Sequence, residues 1–381
     1  MFLFFFGRDQ VLSKLELTMV FKKEGVLFEK VYEEEKFVII DFPRIPDFKK
    51  LISQLGGTVR IAKVYYGAEK LSEEFVDKLD FYFPKNFNYA VEGINLTVDE
   101  VNEVEGYIKK AIRQYKSKGV QKHATLSIVV PSNYFSWKLE EGFELFVLKI
   151  KNKYFFAQTL ECTNPRQYEY KDNKRPVQKL TRGTSFRLAQ MMVNCLDLGK
   201  GRTLVDPFCG IGTFLIEGMI AGYNVIGIDN EEEMIQASLR NIEWARKEFG
   251  LSTSYKLFTQ NAQEAQFEAD GCVFEPFMGP FMTKLPNKQR AIKVMQRLEE
   301  LYLEVFENLN RSLKKFAPVV CVLPYLETQD GDIIQLSSRF FKGIKFDIAS
   351  MYEHFQINNP IDYDTPAGSR IRRRIYLFKK Q

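Results

Sequence analysis

Two short stretches of this 381-residue chain have residue types and spacing suited to chemistry. The first is Thr203-Leu-Val-Asp206-Pro207-Phe208-Cys209-Gly210-Ile-Gly212-Thr213, which reads as a strand, a glycine-rich turn and the start of a helix. Its two glycines let the backbone pass close to a ligand, and the helix that follows offers unpaired N–H groups. The strand Tyr223-Asn-Val-Ile-Gly-Ile-Asp229-Asn230 ends in an acid where a ribose hydroxyl pair would lie. NAD enzymes share a GxG turn with a later acid, but the full GxGxxG is missing because residue 215 is Leu. Asp206 separates the two readings. A carboxylate there repels a dinucleotide pyrophosphate and attracts the cationic amino-acid end of S-adenosylmethionine. The second stretch, Gly271-Cys-Val-Phe-Glu275-Pro276-Phe277-Met278-Gly279-Pro280-Phe281, reads as a strand ending in a carboxylate and a proline-rich turn. Substrates enter open α/β sheets at such strand ends. Between the two, Asn261-Ala262 follows a third strand and could meet an adenine ring, although Asn is also a common turn former.

Alternating strands and helices must position these residues. After residue 186 the pattern runs helix 186–196, strand 203–206, helix 213–221, strand 224–229, helix 231–249, strands near 255–259 and 271–275, helix 287–315, strand 318–325, and strands 345–356 and 370–379. That alternation predicts an α/β, Rossmann-like domain with a doubly wound, mostly parallel sheet. Ahead of it lie two small α+β units. One has strands at 2–6, 36–42 and 58–65 with a helix at 47–55. The other has strands at 87–92, 124–130, 144–150 and 154–159 with helices at 99–118 and 132–141. Residues 161–185 read as a basic linker.

Charge patterning bounds the partners. The net charge is only +5, but residues 151–187 carry +6, residues 188–369 carry −7 and residues 370–381 carry +6. Within the neutral first 150 residues, 106–139 hold Lys109, Lys110, Arg113, Lys116, Lys118, Lys122 and Lys138 with no acid. Three basic stretches around an acidic body favour a polyanionic partner over mere solvated faces. No CxxC pair exists among the five cysteines, which argues against a zinc finger, and no metal is expected. No apolar run of membrane-spanning length occurs, and Met1-Phe-Leu-Phe-Phe-Phe6 reads as a buried strand rather than a leader. Scattered cysteines without a targeting segment suit the cytoplasm. Glu217 and Cys209 read as structural, His123 as surface, and Phe208 as either a cofactor cover or core. Trp137, Tyr134 and Phe135 read as core of the second unit or as base-stacking residues.

At the Asp206–Thr213 turn with Asp229, the chain resembles class I methyltransferases of the RNA-guanosine N2 type. Its order is similar to that of the archaeal and eukaryotic enzymes that methylate N2 of guanosine at position 10 of tRNA. Matching pieces are Phe4-Phe-Phe-Gly7-Arg8, Leu55-Gly-Gly57-Thr-Val-Arg-Ile-Ala62, Arg175-Pro176, Arg187-Leu-Ala-Gln-Met-Met-Val-Asn194 and Arg373-Arg374-Ile-Tyr-Leu-Phe-Lys-Lys380. The resemblance implies a ferredoxin-like domain (1–68), a THUMP RNA-binding domain (69–160), a basic linker (161–185) and a methyltransferase domain (186–381). It implies S-adenosylmethionine held by Asp206, Pro207, Phe208, Gly210, Gly212, Thr213, Asp229, Asn230, Asn261 and Ala262. The target amine falls to Glu275, Pro276 and Phe277. tRNA phosphates fall to Lys109, Lys110, Arg113, Lys116, Lys118, Lys122, Arg175, Arg182 and the C-terminal basic run. A small activating protein partner, as eukaryotic relatives need, also comes with it. One departure stands out: the family's Asp-Pro-Pro-Tyr is Glu275-Pro276-Phe277-Met278 here, so the stacking ring falls to Phe277 or Phe281. The alternative that this departure raises is a catalytically impaired RNA-binding protein or subunit. A dehydrogenase is a third reading, which tight NADH binding without S-adenosylmethionine binding would revive.

Overall fold

The computed structural model describes the chain except residues 80–83, 122–141, 179–183, 350–353, 356 and 364–369. It divides into two compact units, 1–10 with 26–167 and 11–25 with 168–381.

The first unit is built on one eight-stranded sheet. Strand β1 (Phe2–Phe6) is buried at every position, which is why five successive apolar residues suit it. It lies between β3 (Phe37–Asp41) and β4 (Thr58–Ala68), both antiparallel to it, and β2 (Glu29–Glu33) forms the edge beyond β3. The sheet continues from β4 through β8 (Lys153–Cys162), β7 (Phe143–Ile150) and β5 (Asn86–Ile94) to β6 (Lys118–Gln121). Helix α1 (Gln10–Glu24) leaves this unit to join the second. Helix α2 (Phe48–Gln54) starts on an Asp47 side-chain cap. Helix α3 (Val98–Gln114) starts on a capping box: Thr97 Oγ1 accepts from Glu100 N–H, and Glu100 Oε2 accepts from Thr97 N–H. Val104, Ile108, Ala111 and Ile112 then form its buried face, at helical spacing.

The second unit carries the expected doubly wound sheet. Strands β9 (Thr203–Asp206), β10 (Asn224–Asp229), β11 (Tyr255–Thr259), β12 (Gly271–Phe274) and β13 (Pro318–Glu327) run parallel in the order β11-β10-β9-β12-β13. The short strand β14 (Ile333–Ile334) pairs with β13. Beyond β13 the sheet turns antiparallel. The long strand β17 (Ile371–Lys380) inserts between β13 and β15 (Phe346–Ile348), and β16 (Ile361–Tyr363) pairs with β17. Chain order reverses direction between β9 and β12, and that switch opens a crevice at the strands' carboxyl ends. Helices α4 (Pro165–Lys174), α5 (Phe186–Asn194), α6 (Thr213–Ile220), α7 (Glu232–Phe249), α8 (Lys288–Ser312) and α9 (Ser338–Gly343) are the further α-helices among the described residues.

Three expectations need correction. Helix α1 was not foreseen because residues 15–21 are all buried, which erases the polar face that marks an amphipathic helix. Residues 161–185 are not all extended linker; they contain α4, started by proline. The strand expected at 345–356 is cut to Phe346–Ile348 among the described residues. The elements expected at 124–130 and 132–141, with His123, Tyr134, Phe135 and Trp137, lie outside the described residues.

Candidate functional site

A cavity of about 820 Å³ opens at the switch point, lined by the ends of β9, β10 and β12 and the loop after β11. Asp206 closes β9 and is almost wholly buried. Its Oδ1 accepts from the Phe208 N–H at 3.0 Å, while its Oδ2 has no hydrogen-bond partner. Burial pushes the carboxyl well above the usual range, and the nearby Asp229 and Glu275 add to the shift. An unpartnered buried carboxylate oxygen facing a cavity needs a cation or a donor.

The glycine turn is tied to the neighbouring strand. Gly210 adopts φ +51° and donates its N–H to Asp229 Oδ2 at 2.9 Å. Asp229 Oδ1 accepts from the Glu231 N–H at 3.0 Å. Gly212 caps α6 at φ +86°, and a side chain there would meet Ser238 Oγ at 2.6 Å. So Gly212 shapes the turn without lining the cavity. Pro207, Phe208, Gly210, Thr213, Asp229, Asn230, Asn261 and Ala262 do line it. Phe208 lines the cavity, and its ring centroid lies 5.8 Å from that of the core residue Phe274. Asn308 of α8 sets the Asn261-Ala262 loop by donating to the Ala262 and Ala265 carbonyls at 2.8 and 2.9 Å. Cys209 is buried and its thiol is pushed up by that burial, which suits packing rather than nucleophilic attack. Glu217 is a buried structural acid, paired with Lys171 at 2.6 Å.

Glu275, Pro276 and Phe277 face the same cavity from the end of β12. Glu275 Oε2 accepts from Thr184 Oγ1 at 2.5 Å, and Oε1 lies 3.0 Å from Arg373 Nε of β17. The Phe277 carbonyl accepts from the Tyr302 hydroxyl at 2.7 Å, which fixes the turn against α8. Phe277 and Phe281 stay exposed, by 52% and 76%, so two aromatic rings stand at the cavity's edge. Among the described lining residues four are carboxylates (Asp206, Asp229, Glu231 and Glu275) and one, Arg373, is cationic. That balance suits a cationic ligand and disfavours a pyrophosphate.

The basic residues divide. Arg175 is 7% exposed; it donates from Nη1 to Thr213 Oγ1 at 3.0 Å and stacks over Phe186. It anchors the linker to α6 and is buried away from any phosphate, which corrects its expected role. Lys109 pairs with Glu105 and Lys110 with Glu73. Arg113, Lys116 and Lys118 are exposed, with no ion pair to a described residue. Lys122 and Arg182 lie outside the described residues. In the C-terminal run, Arg372 pairs with Glu327 and Arg374 with Asp362. Thr184, Arg373, Tyr302 and Asn308 were not anticipated at the site. Each is a polar residue in an element read as linker, strand or helix; packing brings Thr184 and Arg373 into the cavity lining and sets Tyr302 and Asn308 against the loops that form it.

Residues 178–329 match a family model described as UPF0020, the RMKL-like methyltransferase domain. A protein of Methanothermobacter thermautotrophicus named tRNA (guanine(10)-N2)-dimethyltransferase is 22% identical over 320 residues, 82% of this chain and 85% of that protein. A Methanocaldococcus jannaschii protein of the same name is 27% identical over 47% of this chain and 52% of its own length. The crystal structure of TrmN from Thermus thermophilus superposes with a TM-score of 0.58 at 15% identity, over 100% of this chain and 99% of that one. With the strand order above, these likenesses give the C-terminal part the fold of class I methyltransferases.

Proposed function

We propose that this chain is an S-adenosylmethionine-dependent tRNA methyltransferase acting on the exocyclic N2 amine of a guanosine. The observation that carries the reading is one cavity holding a buried carboxylate with an unpartnered oxygen, Asp206, beside a carboxylate at the end of the adjacent strand, Glu275. The names of the archaeal relatives support the substrate.

The residues fit the cofactor. Asp206 Oδ2 would accept from its ammonium group, Asp229 would take the ribose hydroxyls, and Asn261 with the Ala262 N–H would meet the adenine. When bound, S-adenosylmethionine supplies an electrophilic methyl group. The chain's own part is to orient and deprotonate the amine. A guanine N2 amine is a weak nucleophile because its lone pair is conjugated with the ring. Accepting its two hydrogens at Glu275 and at the Pro276 carbonyl raises its electron density and points the lone pair into the cavity. Phe277 or Phe281 would stack on the base. Glu275 is then the adjacent acceptor for the proton released on transfer. No protein nucleophile is needed, so transfer is direct and in-line.

The same reading divides the N-terminal part into a ferredoxin-like unit (1–68) and a THUMP unit (69–160). Exposed Arg113, Lys116 and Lys118 support an RNA-facing role for the latter. Five buried cysteines, with no disulfide among the described residues, support work in the reducing cytoplasm. The test is incorporation of radiolabelled methyl groups into bulk tRNA by the wild type and by Glu275→Ala, with and without small candidate partner proteins. Incorporation by the wild type and its loss in E275A are expected. No incorporation by the wild type in any arm would refute the proposal.

A further inference from the structure

Glu275 is one methylene longer than the acid of the family it resembles, and each of its oxygens has a neighbour: a hydrogen bond from Thr184 at one and an ion-pair contact with Arg373 Nε, without hydrogen-bond geometry, at the other. The second neighbour comes from an unexpected place. Arg373 is the middle of three successive arginines on β17, a run whose sequence suggests a phosphate grip. Strand alternation sends it to the opposite face from Arg372 and Arg374, which pair with Glu327 and Asp362. Arg373 therefore lines the cavity, while its neighbours are paired on the other face.

The reach between Glu275 and Arg373 is long. Strand β13 lies between β12 and β17, and Arg373 stands opposite Pro324 on it. Two strand spacings are about 10 Å, which a long arginine and a glutamate can bridge together. The observed contact is 3.0 Å, with Glu275 largely buried. An aspartate would draw the carboxylate back by about 1.5 Å, beyond useful ion-pair distance.

We infer that Arg373, with Thr184, is a positioning pair for Glu275, and that glutamate at this strand end and arginine on β17 form one functional unit. This rests on the methyl-transfer reading above. The guanidinium stands 3.0 Å from one carboxylate oxygen, and Thr184 donates a hydrogen bond to the other. Glu275 lines the cavity, where the amine would donate. Arg373 is assigned no contact of its own with the amine or the cofactor. It acts through Glu275.

The experiment compares wild type, Arg373→Met, Arg373→Lys, Glu275→Asp and the R373M/E275D double variant. Transfer kinetics on tRNA are read beside S-adenosylmethionine affinity by calorimetry and thermal midpoints. R373M is expected to lower kcat about 10- to 100-fold, leaving KM for tRNA and cofactor affinity within about twofold, because misplacement of the acceptor acts on the reacting geometry alone. R373K should restore part of kcat. E275D should lose a similar factor, and the double variant should be little worse than either single one. Three results would overturn the inference: wild-type kcat in R373M, a raised KM with a shallower salt dependence as for a phosphate contact, or losses that multiply in the double variant. If the wild type itself transfers no methyl group, the enzymatic reading fails instead. The pair is then judged by thermal shifts of E275Q, R373M and their combination. Non-additive shifts uphold it and additive shifts refute it.

Discussion

Asp206 is the residue where structure and chemistry conflict most directly. Its buried carboxylate has one oxygen without a partner, and its affinity for a proton is raised above that of an ordinary aspartate. A group whose folded-state pKa is raised binds more protons folded than unfolded, so it lowers stability as pH rises through that range. Without cofactor, Asp206→Asn should therefore raise the thermal midpoint at neutral pH. The same change should weaken S-adenosylmethionine binding by at least about 30-fold, since it removes one partner of a buried charge pair. Wild-type affinity should fall as pH is lowered toward the acid range, because protonated Asp206 no longer attracts an ammonium group, and D206N should show a flatter profile. Calorimetry across pH, with differential scanning of the apo proteins, reads all three. A D206N variant with wild-type affinity would remove the basis for the cofactor assignment.

At the scale of elements, the methyltransferase strands and their turns were readable because each obeys a local rule. A β-branched and apolar run ends in an acid, then glycine or proline breaks it, then a helix starts. What could not be read depends on packing. Helix α1 looks like undifferentiated apolar sequence because it is buried nearly all round. Arg175 and Arg373 look like phosphate ligands because sequence shows their charge but not the Thr213 and Glu275 atoms they meet. Asn308 and Tyr302 hold the loops that line the cavity from a helix with no local signal for that role. In the first unit, α3 offers a clean test of a signal that sequence does carry. Thr97→Ala should cost about 1 kcal/mol of that unit's stability by denaturant titration, through loss of the capping box. Glu100 closes that box and also meets Lys149 at 2.6 Å and Tyr154. Hydrogen bonds from Lys149, Tyr154 and the Thr97 N–H hold its carboxyl down from 4.5 to about 2. Its stabilisation is therefore present above pH 4.5 and disappears as pH falls through about 2. Glu100→Gln should flatten the acid limb of unfolding over that window. An unchanged limb would show that the contacts contribute nothing.

For the whole molecule, a net charge of +5 hides an acidic methyltransferase body and separate basic stretches. The structure narrows the basic set available to RNA, because Arg175 is buried and the arginines of β17 are paired internally. Arg113, Lys116 and Lys118 remain exposed on α3 and its exit. Binding of tRNA should weaken steeply with salt, and Lys116→Glu and Lys118→Glu should each lower the slope of log affinity against log salt by about 1 or more. Unchanged slopes would place the RNA on another surface. The central claim concerns the product. Wild-type protein is incubated with S-adenosylmethionine and unmodified tRNA, and the tRNA is then digested to nucleosides and resolved by chromatography with mass detection. Guanosine methylated at N2 should appear, and should vanish with Glu275→Ala. A methylated nucleoside other than an N2-methylguanosine, or none at all, would contradict the account.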